Sequence, residues 1–492
     1  MKYLVTASEM KEYDENTIEK IGIPGMVLME RAALAALEVI THRFPIEERE
    51  NMRVLVLVGT GNNGGDGLAL SRLLCEAGFV TDVWCVGKQE HTSMQWKQQM
   101  SILQHYKVGF RNEAPVNEYN MIIDALCGIG LSREINGAYY EALLYSNQST
   151  AFKLALDIPS GICSDTGRVL GYGFKADMTV TFGFLKRGLV LFPGCEYAGE
   201  VKVADIGIGP TSFLGRKPGM FCYDETAAEL LPKRDASGNK GTFGKLLLIA
   251  GSLNMAGAAY LSAKGAYRAG TGMVKLLSSE ENRVILQQSI PDALFGTYED
   301  VREGLSWADV IAIGPGLSQS MAAKEAFKEV ILNSRLPIVI DADGLNLLAR
   351  DEKLKEELAH QGLEGREIIL TPHVGELFRL LHVPIETLKY KLWDYGKALA
   401  EKYHCVVVAK DARTFICEEG KSICVNRKGN SGMAVAGSGD VLCGVIAGLL
   451  SQKMVCFEAA SIGTYLHALA GDKAALIRGE HGLMAIDIAD NL

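Results

Sequence analysis

The sequence predicts an α/β protein of two domains, each built on a mostly parallel β-sheet with helices packed on both faces. Its 492 residues exceed the length of one ordinary domain. Short runs rich in Val, Ile and Leu alternate with helical patterns, which is typical of strands that are buried on both faces of a sheet. The segment 209–244 interrupts this alternation with Gly, Pro and charged residues. We therefore expect the domain boundary inside that segment.

Six apolar runs predict the strands of the first domain, with helical patterns such as 68–78 between several of them. These runs are 53–59, 80–87, 121–128, 152–161, 178–184 and 201–207. The second domain continues with 245–251, 273–279, 309–316, 337–344, 367–373 and 405–411. A hairpin turned at Gly420 and two helices, roughly 440–450 and 457–478, complete it. No motif of one half recurs in the other, so the chain is a fusion rather than a duplication.

Composition and charge argue against several classes of protein. The net charge is −9 and no block of Lys and Arg is present, which argues against a nucleic-acid partner. The polar N-terminus lacks the apolar core of a signal peptide, and no apolar run is long enough to span a membrane. The 11 cysteines form no C-x-x-C pair and the 9 histidines show no ligand spacing, so we expect neither a disulfide framework nor a zinc site. These features predict a soluble cytoplasmic protein.

The run 53–59 leads into the glycine-rich loop GTGNNGGDG at 59–67, followed by a helical pattern. Glycines let the backbone approach a phosphate, and the first N–H groups of a helix carry partial positive charge. The loop contains G-x-G-x-x-G, yet the acid that a dinucleotide-binding dehydrogenase places at the end of the next strand is missing. A tight structural turn would explain the glycines but not Asn62, Asn63 and Asp66 among them. Such oxygen-bearing side chains suit a hard cation or a polar substrate.

Two later strands of the first domain also end in polar residues. Asp124 ends one predicted strand, and Asp157 and Ser160 end the next. Ligands of open α/β sheets bind outside the carboxyl ends of the strands, so three polar clusters should converge on one crevice. Each carboxylate alone is equally compatible with a helix cap. Three of them together favour a binding site.

The motifs GNNGGDG, DALCGIG and DIPSG, with the opening VTASEMKEYDENTIEKIGIPGMVLMERAA, resemble the epimerase domain of NAD(P)H-hydrate repair enzymes. The resemblance covers residues 1–215 and implies a Rossmann-like three-layer domain. It implies potassium coordination by Asn63, Asp124 and Ser160. It also implies hydrate binding by Asn62, Asn63, Gly64, Gly65, Asp66, Gly128, Ile129, Gly130, Leu131, Ser132, Arg133, Glu134 and Asp157. Ile129 replaces the usual Thr of that family, where a backbone turn is what matters.

A second glycine-rich loop opens the helix near residue 440. Gly437, Ser438 and Gly439 precede an apolar helix, whose first N–H groups would form an anion site. Asp440 follows in the first turn, where it can accept a proton from a hydroxyl that meets a phosphoryl group, although a first-turn acid is favourable without any function. The loop lacks the lysine of a Walker A motif, and protein-kinase motifs are absent. G-x-G-D at a late helix start is typical of ribokinase-like small-molecule kinases and predicts a ribokinase-like α/β domain.

The motifs GSLNMAGAAYLSAKGAYRAGTGMVKL, AIGPGL, VIDADGLNLL, LTPHVGEL, AKDART and GSGD together resemble ADP-dependent NAD(P)H-hydrate dehydratases over residues 225–492. The resemblance implies hydrate contacts at Ala258, Gly316, His373 and Asp440. It implies ADP contacts at Lys410, Asp411, Ala412, Arg413, Thr414 and Gly439. Before any resemblance, a His in the position of His373 is as often a structural side chain as a ligand. KDART stands where the family often has K-G-A-G-T, and AVAGSGD where it often has A-T-G-G-S-G-D, so the choice between ADP and ATP stays open.

The two resemblances together imply a bifunctional enzyme that repairs hydrated NADH and NADPH. The first domain would interconvert the R and S hydrates, with Asp157 as acid/base and K⁺ organising the site. The second would restore the S hydrate to NAD(P)H with ADP and Mg²⁺, giving AMP and phosphate. Hydroxide is a poor leaving group, and phosphorylation with Asp440 as base would make its expulsion easy.

Two other interpretations stay open. An ATP-dependent kinase of a vitamin precursor or sugar, with an accessory nucleotide-binding domain, would use the same second fold. A non-enzymatic nucleotide sensor is the other, although the intact Asp440 and the intact set Asn63, Asp124 and Ser160 speak against it. We expect small-molecule partners (the hydrates NADHX and NADPHX, and ADP), no nucleic acid, no membrane, and assembly as a homo-oligomer.

Overall fold

The structure is a computed structural model that describes residues 1–88, 90, 92–115, 118–384 and 391–492. The chain divides into two compact units, Lys2–Gly219 and Met220–Leu492, with Met1 grouped in the second. Both units are α/β and contain a parallel sheet, which confirms the predicted fold class. Among the helices in the described ranges, none combines the length and the apolar character needed to cross a membrane.

The first unit contains a seven-stranded parallel sheet in the order β4-β3-β2-β5-β6-β7-β9. A separate parallel pair is formed by β1 and β8, in which Val5 lies opposite Lys186. The strands are β1 (Lys2–Val5), β2 (Arg53–Val58), β3 (Val80–Cys85), β4 (Gly109–Arg111), β5 (Met121–Ala125), β6 (Phe152–Leu156), β7 (Met178–Phe182), β8 (Leu185–Lys186) and β9 (Glu200–Ala204).

Alternate residues of β2 enter different cores on the two faces of this sheet, as the period-2 geometry of a strand requires. Val54, Val56 and Val58 join one core, and Leu55 and Leu57 join the other. The first core includes residues of the helices at 25–43, 62–76 and 94–103, and the second includes residues of the helix at 137–148. The unit therefore has three layers. Its α-helices are Ala7–Glu15, Gly25–Arg43, Ile46–Arg49, Asn62–Glu76, Met94–Leu103 and Gly137–Gln148, with a π-helix at Asn16–Ile21.

All six strands predicted for the first domain are present, and each ends one to five residues earlier than predicted. The difference is largest for β6, which stops at Leu156 because the chain turns at Asp157. At Asp157 this turn takes a positive φ of 66°, which ends the extended strand conformation. The short strands β1, β4 and β8 were not predicted.

The second unit contains ten strands in the order β13-β12-β11-β14-β15-β16-β17-β18-β19-β10. They are β10 (Met220–Cys222), β11 (Lys245–Ile249), β12 (Met273–Ser278), β13 (Leu294–Thr297), β14 (Val310–Ile313), β15 (Ile338–Ile340), β16 (Ile368–Leu370), β17 (Val406–Ala409), β18 (Thr414–Cys417) and β19 (Ile423–Asn426). The strands from β13 to β17 are parallel, and β18 is antiparallel to both of its neighbours.

The hairpin predicted around Gly420 is confirmed as β18 and β19, with Gly420 at a φ of 76°. The two long C-terminal helices are confirmed as well. The predicted strand 337–344 ends at Ile340, because Asp341 is the N-cap of the next helix. The α-helices are Ala256–Arg268, Arg283–Ser289, Val301–Trp307, Met321–Asn333, Ala342–Ala349, Glu352–Leu363, Val374–Leu381, Leu392–Tyr403, Ser438–Ser451, Cys456–Arg478 and Ala485–Asp490.

Candidate active sites

The first crevice lies where the strand order of the seven-stranded sheet reverses. The chain adds β3 and β4 on one side of β2 and then returns to place β5 on the other side. Ligands of open α/β sheets bind at the carboxyl ends of the strands at such a reversal. Gly64 makes the tight turn after β2 possible, since a Cβ there would lie 2.0 Å from the carbonyl oxygen of Gly59. The loop thus brings the first turn of the helix Asn62–Glu76 to the crevice.

A cavity of about 1260 Å³ opens at this reversal, large enough for a nucleotide-sized ligand. Its wall contains most of the predicted hydrate contacts, namely Asn62, Asn63, Asp66, Gly128, Ile129, Gly130, Leu131, Ser132, Arg133, Glu134 and Asp157. Gly64 and Gly65 are buried inside the turn instead of lining the cavity. A Cβ on Gly65 would lie 2.7 Å from Cε of Met29, so this glycine allows the helix to pack closely.

Asp124 is fully buried, and its hydrogen-bond donors within the described residues are neutral groups. Ser160 donates from its backbone N–H to Oδ2 and from Oγ to Oδ1, each at 2.7 Å. The N–H of Leu126 donates to Oδ1 at 3.1 Å. Burial raises the pKa of Asp124 to about 6, against the lowering effect of the Ser160 hydrogen bonds. The carboxylate therefore lacks a positive partner among the side chains that the structure describes.

Asn63 supports the idea that a ligand belongs at this end of the sheet. Its side-chain oxygen and nitrogen are both buried, and neither has a hydrogen-bond partner among the residues that the structure describes. A buried amide without a partner costs free energy, so such a group is usually satisfied by a ligand, an ion or water. Amide, hydroxyl and carboxylate oxygens are the ligands that a hard cation prefers. Asn63, Asp124 and Ser160 thus fit a monovalent cation by their chemistry.

Asp157 is held by a lysine that sequence reasoning did not single out. Nζ of Lys186 lies 2.5 Å from Oδ1 of Asp157 and donates to the carbonyl oxygen of Phe182 at 2.7 Å. Lys186 is 1% exposed, and both Asp157 and Lys186 line the cavity. The negative charge of Asp157 is thus balanced by the ammonium of Lys186 inside the crevice.

Two further carboxyl groups of the cavity wall are protonated more easily than usual. Burial raises the pKa of Asp66 well above its ordinary value, and the negative charges of Asp157 and Asp14 raise it further. Burial raises the pKa of Asp14 in the helix Ala7–Glu15, with smaller contributions from Glu15 and Asp157. The crevice therefore contains both easily protonated carboxyls and an ion pair, which is the combination that acid–base chemistry needs.

The second candidate site lies at the reversal between β11 and β14 in the other unit. Two of the predicted hydrate contacts meet there. Gly316 has a φ of +57°, and a Cβ on it would lie 2.7 Å from Cβ of Ala258. The close approach of the loop after β14 to the start of the helix Ala256–Arg268 requires a glycine at position 316.

Asp440 lies in the first turn of the helix Ser438–Ser451, which follows Gly437 at a φ of 93°. Burial raises the pKa of Asp440 to about 7, and the negative charge of Asp341 adds to this rise while Lys410 opposes it. A carboxyl group with a pKa near the working pH is suited to general-base catalysis. The helix N-terminus beside it favours negative charge on a bound phosphate.

Lys410 was predicted to contact ADP, and the structure places it beside Asp440. Its Nζ donates to Oδ1 of Asp341 at 2.8 Å, and the hydroxyl of Thr371 donates to the same oxygen at 2.7 Å. A Cβ on Gly439 would lie 3.5 Å from this Nζ. Lys410, which follows β17, thus lies close to the start of the helix Ser438–Ser451.

His373 has the structural role that its sequence position allowed. It is the N-cap of the helix Val374–Leu381, and its Nδ1 accepts hydrogen bonds from the N–H groups of Gly375 at 2.9 Å and Glu376 at 3.4 Å. Burial and the nearby Lys410 lower the pKa of His373, so the ring is neutral with its proton on Nε2. The ring is about half exposed, which leaves its outer edge accessible to a ligand.

The other predicted ADP contacts lie on the connection between β17 and β18. Asp411 and Ala412 are exposed, while Arg413 and Thr414 are partly buried. Within the described residues, no group of three or more His, Cys, Asp or Glu side chains is arranged to hold a metal ion. A magnesium ion that enters with nucleotide phosphates needs only one or two protein carboxylates.

Comparison with known proteins agrees with this division of the chain. Residues 246–492 match the family model described as NAD(P)H-hydrate dehydratase, and residues 25–188 match the model described as YjeF-related protein N-terminus. The bifunctional NAD(P)H-hydrate repair enzyme Nnr of Moorella thermoacetica is 35% identical over 100% of this chain and 96% of its own length. The enzyme of the same name from Escherichia coli is 32% identical over 99% of this chain and 92% of its own length.

One similar protein of known structure is the ADP/ATP-dependent NAD(P)H-hydrate dehydratase of Bacillus subtilis, co-crystallised with ATP and Mg²⁺. It is 32% identical, with a TM-score of 0.48, and the match covers 54% of this chain and 94% of that protein.

Proposed function

This chain belongs to the family of bifunctional NAD(P)H-hydrate repair enzymes, and from that premise we propose that its two candidate sites divide the repair between them. The first domain, residues 1–215, interconverts the R and S hydrates of NADH and NADPH. The second domain, residues 225–492, dehydrates the S hydrate with ADP and releases AMP and phosphate. The substrates are reduced pyridine nucleotides damaged in the cytoplasm.

The first domain holds a potassium ion on oxygens of Asn63, Asp124 and Ser160. Two observations on the described part of the chain support this assignment: Asp124 is buried there without a positive partner, and the Asn63 amide has no hydrogen-bond partner there. The ion supplies the charge that balances Asp124 and fixes the turn of Ser160. Asp157 accepts and returns the proton of the hydrate's hydroxyl. Inversion of the hydrated carbon requires such a group, because a bond at that carbon must break and form again on the other face.

The second domain uses Asp440 as the base that activates the hydrate's hydroxyl. The N–H groups at the start of the helix Ser438–Ser451 face the phosphoryl group, and Mg²⁺ enters with the nucleotide. The hydroxyl loses its proton to Asp440 as its oxygen takes the terminal phosphoryl group of ADP. The electrons of the ring nitrogen then expel phosphate, and loss of a ring proton restores the dihydronicotinamide. The observation that carries this proposal is the position of Asp440, with its raised pKa of about 7, in the first turn of that helix.

Pure protein with hydrated NADH, ADP and Mg²⁺ tests the proposal directly. We expect the absorbance of reduced nicotinamide to return while AMP and phosphate form in equal amounts. The alternative, an ATP-dependent kinase of a vitamin precursor or sugar, predicts a stable phosphorylated product and no return of absorbance. A protein that consumes neither nucleotide nor hydrate would contradict both functions.

A further inference from the structure

Lys186 is a buried lysine in the first crevice whose role no sequence motif indicates. It is the second residue of β8, and the pairing of β8 with β1 places it opposite Val5. A lysine ammonium that is 1% exposed is costly unless it is paired. Its partners are Oδ1 of Asp157 at 2.5 Å and the carbonyl oxygen of Phe182 at 2.7 Å.

The two oxygens of Asp157 have different surroundings. Oδ1 receives Nζ of Lys186, the N–H of Phe182 at 3.3 Å and the hydroxyl of Thr181 at 3.4 Å. Oδ2 receives none of these donors and lies 3.6 Å from the position of a Cβ built on Gly128. The positive φ of 66° at Asp157 is uncommon for a residue with a side chain, and such conformations are concentrated at functional sites. One oxygen is anchored, and the other is available on the side of Gly128.

The space over Gly128 is a notch between two groups that can form further hydrogen bonds. The position of a Cβ on Gly128 is 3.4 Å from Cβ and 3.6 Å from Cγ of Asn63, and 3.6 Å from Oδ2 of Asp157. Within the described ranges, the Asn63 amide has no hydrogen-bond partner. The notch belongs to the wall of the cavity and has room for an atom of methyl size at ordinary contact distances.

We infer that Lys186 is a positioning residue of the first site. Its ammonium holds Oδ1 of Asp157, so that Oδ2 accepts and returns the proton of the hydrate's hydroxyl in the notch over Gly128. This inference rests on the proposed epimerase function of the first domain. The O–H bond of the hydrate breaks as an O–H bond forms on Oδ2, and the electrons left on the oxygen form a C=O bond while the bond between the hydrated carbon and the ring nitrogen breaks. The nitrogen then attacks the other face of the carbonyl carbon, and the proton returns from Oδ2 to the oxygen. No other reactant is needed.

The variants Lys186→Met and Lys186→Arg test this role in the full chain. Isomer ratios are followed by chromatography with potassium and without ADP, so that the second domain does not consume the S hydrate. We expect Lys186→Met to lower kcat of epimerisation by about 10²-fold or more with little change in KM. The pH profile of epimerisation should also change, because the positive charge beside Oδ1 of Asp157 is gone. Lys186→Arg keeps the positive charge and should restore part of kcat.

A second variant tests the same inference in case Lys186→Met unfolds the first domain. Gly128→Ala adds one methyl group at ordinary contact distances, and Gly128 has no positive φ, so the fold should survive. The methyl group fills the notch, and we expect at least a tenfold loss of epimerisation with an unchanged Tm. Gly209→Ala is the matched control, because a Cβ there meets no atom within 4 Å and Gly209 does not line the cavity.

Dehydration of pure S hydrate with ADP serves as the internal standard for every variant, because it uses the second domain. The inference is overturned if Lys186→Met epimerises at the wild-type rate, or if its defect lies in KM with an unmoved pH profile. It is also overturned if Gly128→Ala epimerises normally. If the wild-type chain itself leaves the isomer ratio unchanged while it dehydrates the S hydrate, the epimerase function fails, and the role of Lys186 fails with it.

Discussion

The two domains neutralise their deepest carboxylates in opposite ways. Asp124 of the first domain is fully buried and receives hydrogen bonds from Ser160 and Leu126, which are neutral donors. Asp341 of the second domain is 2% exposed and receives the ammonium of Lys410 at 2.8 Å. Both carboxylates lie at the carboxyl end of a parallel strand. The same sheet geometry thus gives one buried carboxylate that receives only neutral donors from the described residues and one that is paired with a lysine of the chain.

This difference separates the two proposed activities by their dependence on ions. The proposed potassium ion would balance the charge of Asp124, because a buried charge without a partner is unfavourable. The second site needs no such ion for Asp341, and its Mg²⁺ arrives with the nucleotide. Changes in monovalent cation should therefore affect epimerisation and leave dehydration of the S hydrate nearly unchanged.

The largest expected effect is that of Asp440→Asn on dehydration. Asparagine keeps the shape of the side chain but cannot accept the hydroxyl proton, and loss of a general base costs about 10²–10⁴-fold in rate. ADP should still bind, and epimerisation should be unchanged. The measurement is the initial rate of NADH formation from S hydrate, with ADP binding measured by calorimetry. Near wild-type turnover would show that Asp440 is not the base.

The next largest effect should follow from removing the ammonium of Lys410, which is paired with Asp341. Lys410→Met leaves Asp341 buried without its partner, which should destabilise the second domain by about 3–5 kcal/mol. Thermal unfolding measures this loss, and added KCl should not reverse it. The double variant Lys410→Met with Asp341→Leu removes both charges and should recover much of the stability. If the single variant unfolds at the wild-type temperature, the ion pair has no stabilising role.

The smallest expected effect is a pH-dependent stabilisation of the first domain by potassium. Without a bound cation, the pKa of Asp124 is raised to about 6, so the carboxyl is neutral below that pH and the burial of its charge is unfavourable above it. Potassium should therefore raise Tm by a few degrees at pH 7.5 and by less at pH 5. Sodium-free buffers with tetramethylammonium provide the control. An equal effect of potassium at both pH values would contradict a role for Asp124 as its ligand.

Strands and the motifs at their ends were predictable because each depends on residues that are adjacent in the sequence. The apolar run at 53–59, for example, is confirmed as β2, and the loop after it lines the cavity. Lys186 was not predictable, because its burial depends on the pairing of β8 with β1, which lies about 180 residues earlier in the chain. Asp14 was not predictable for the same reason. Its position in a helix is typical of a solvent-exposed acid, yet the fold places it on the cavity wall.

The second site shows the same limit. Lys410 was recognised by its motif, but its contact with Asp341 joins two strand ends that are far apart in the sequence. For Gly64 and Gly65 the motif predicted ligand contacts, but the structure does not place these residues on the cavity wall. Gly64 packs against the backbone of Gly59, and Gly65 packs against Met29. Residue types at strand ends indicate the chemistry of a site. The partners and the orientation of each side chain depend on contacts between segments that are distant in the sequence.

In the proposed function, one domain inverts the hydrate and the other dehydrates it, each with its own carboxylates. A mixture of R and S hydrates with ADP, Mg²⁺ and K⁺ tests this most directly when the wild-type chain is compared with Asp124→Ala. We predict that the wild type restores all of the hydrate to NADH in one fast phase. The variant should restore the S fraction at the wild-type rate and then slow to the rate of spontaneous inversion. If Asp124→Ala instead clears both isomers as fast as the wild type, the first domain is not a potassium-dependent epimerase.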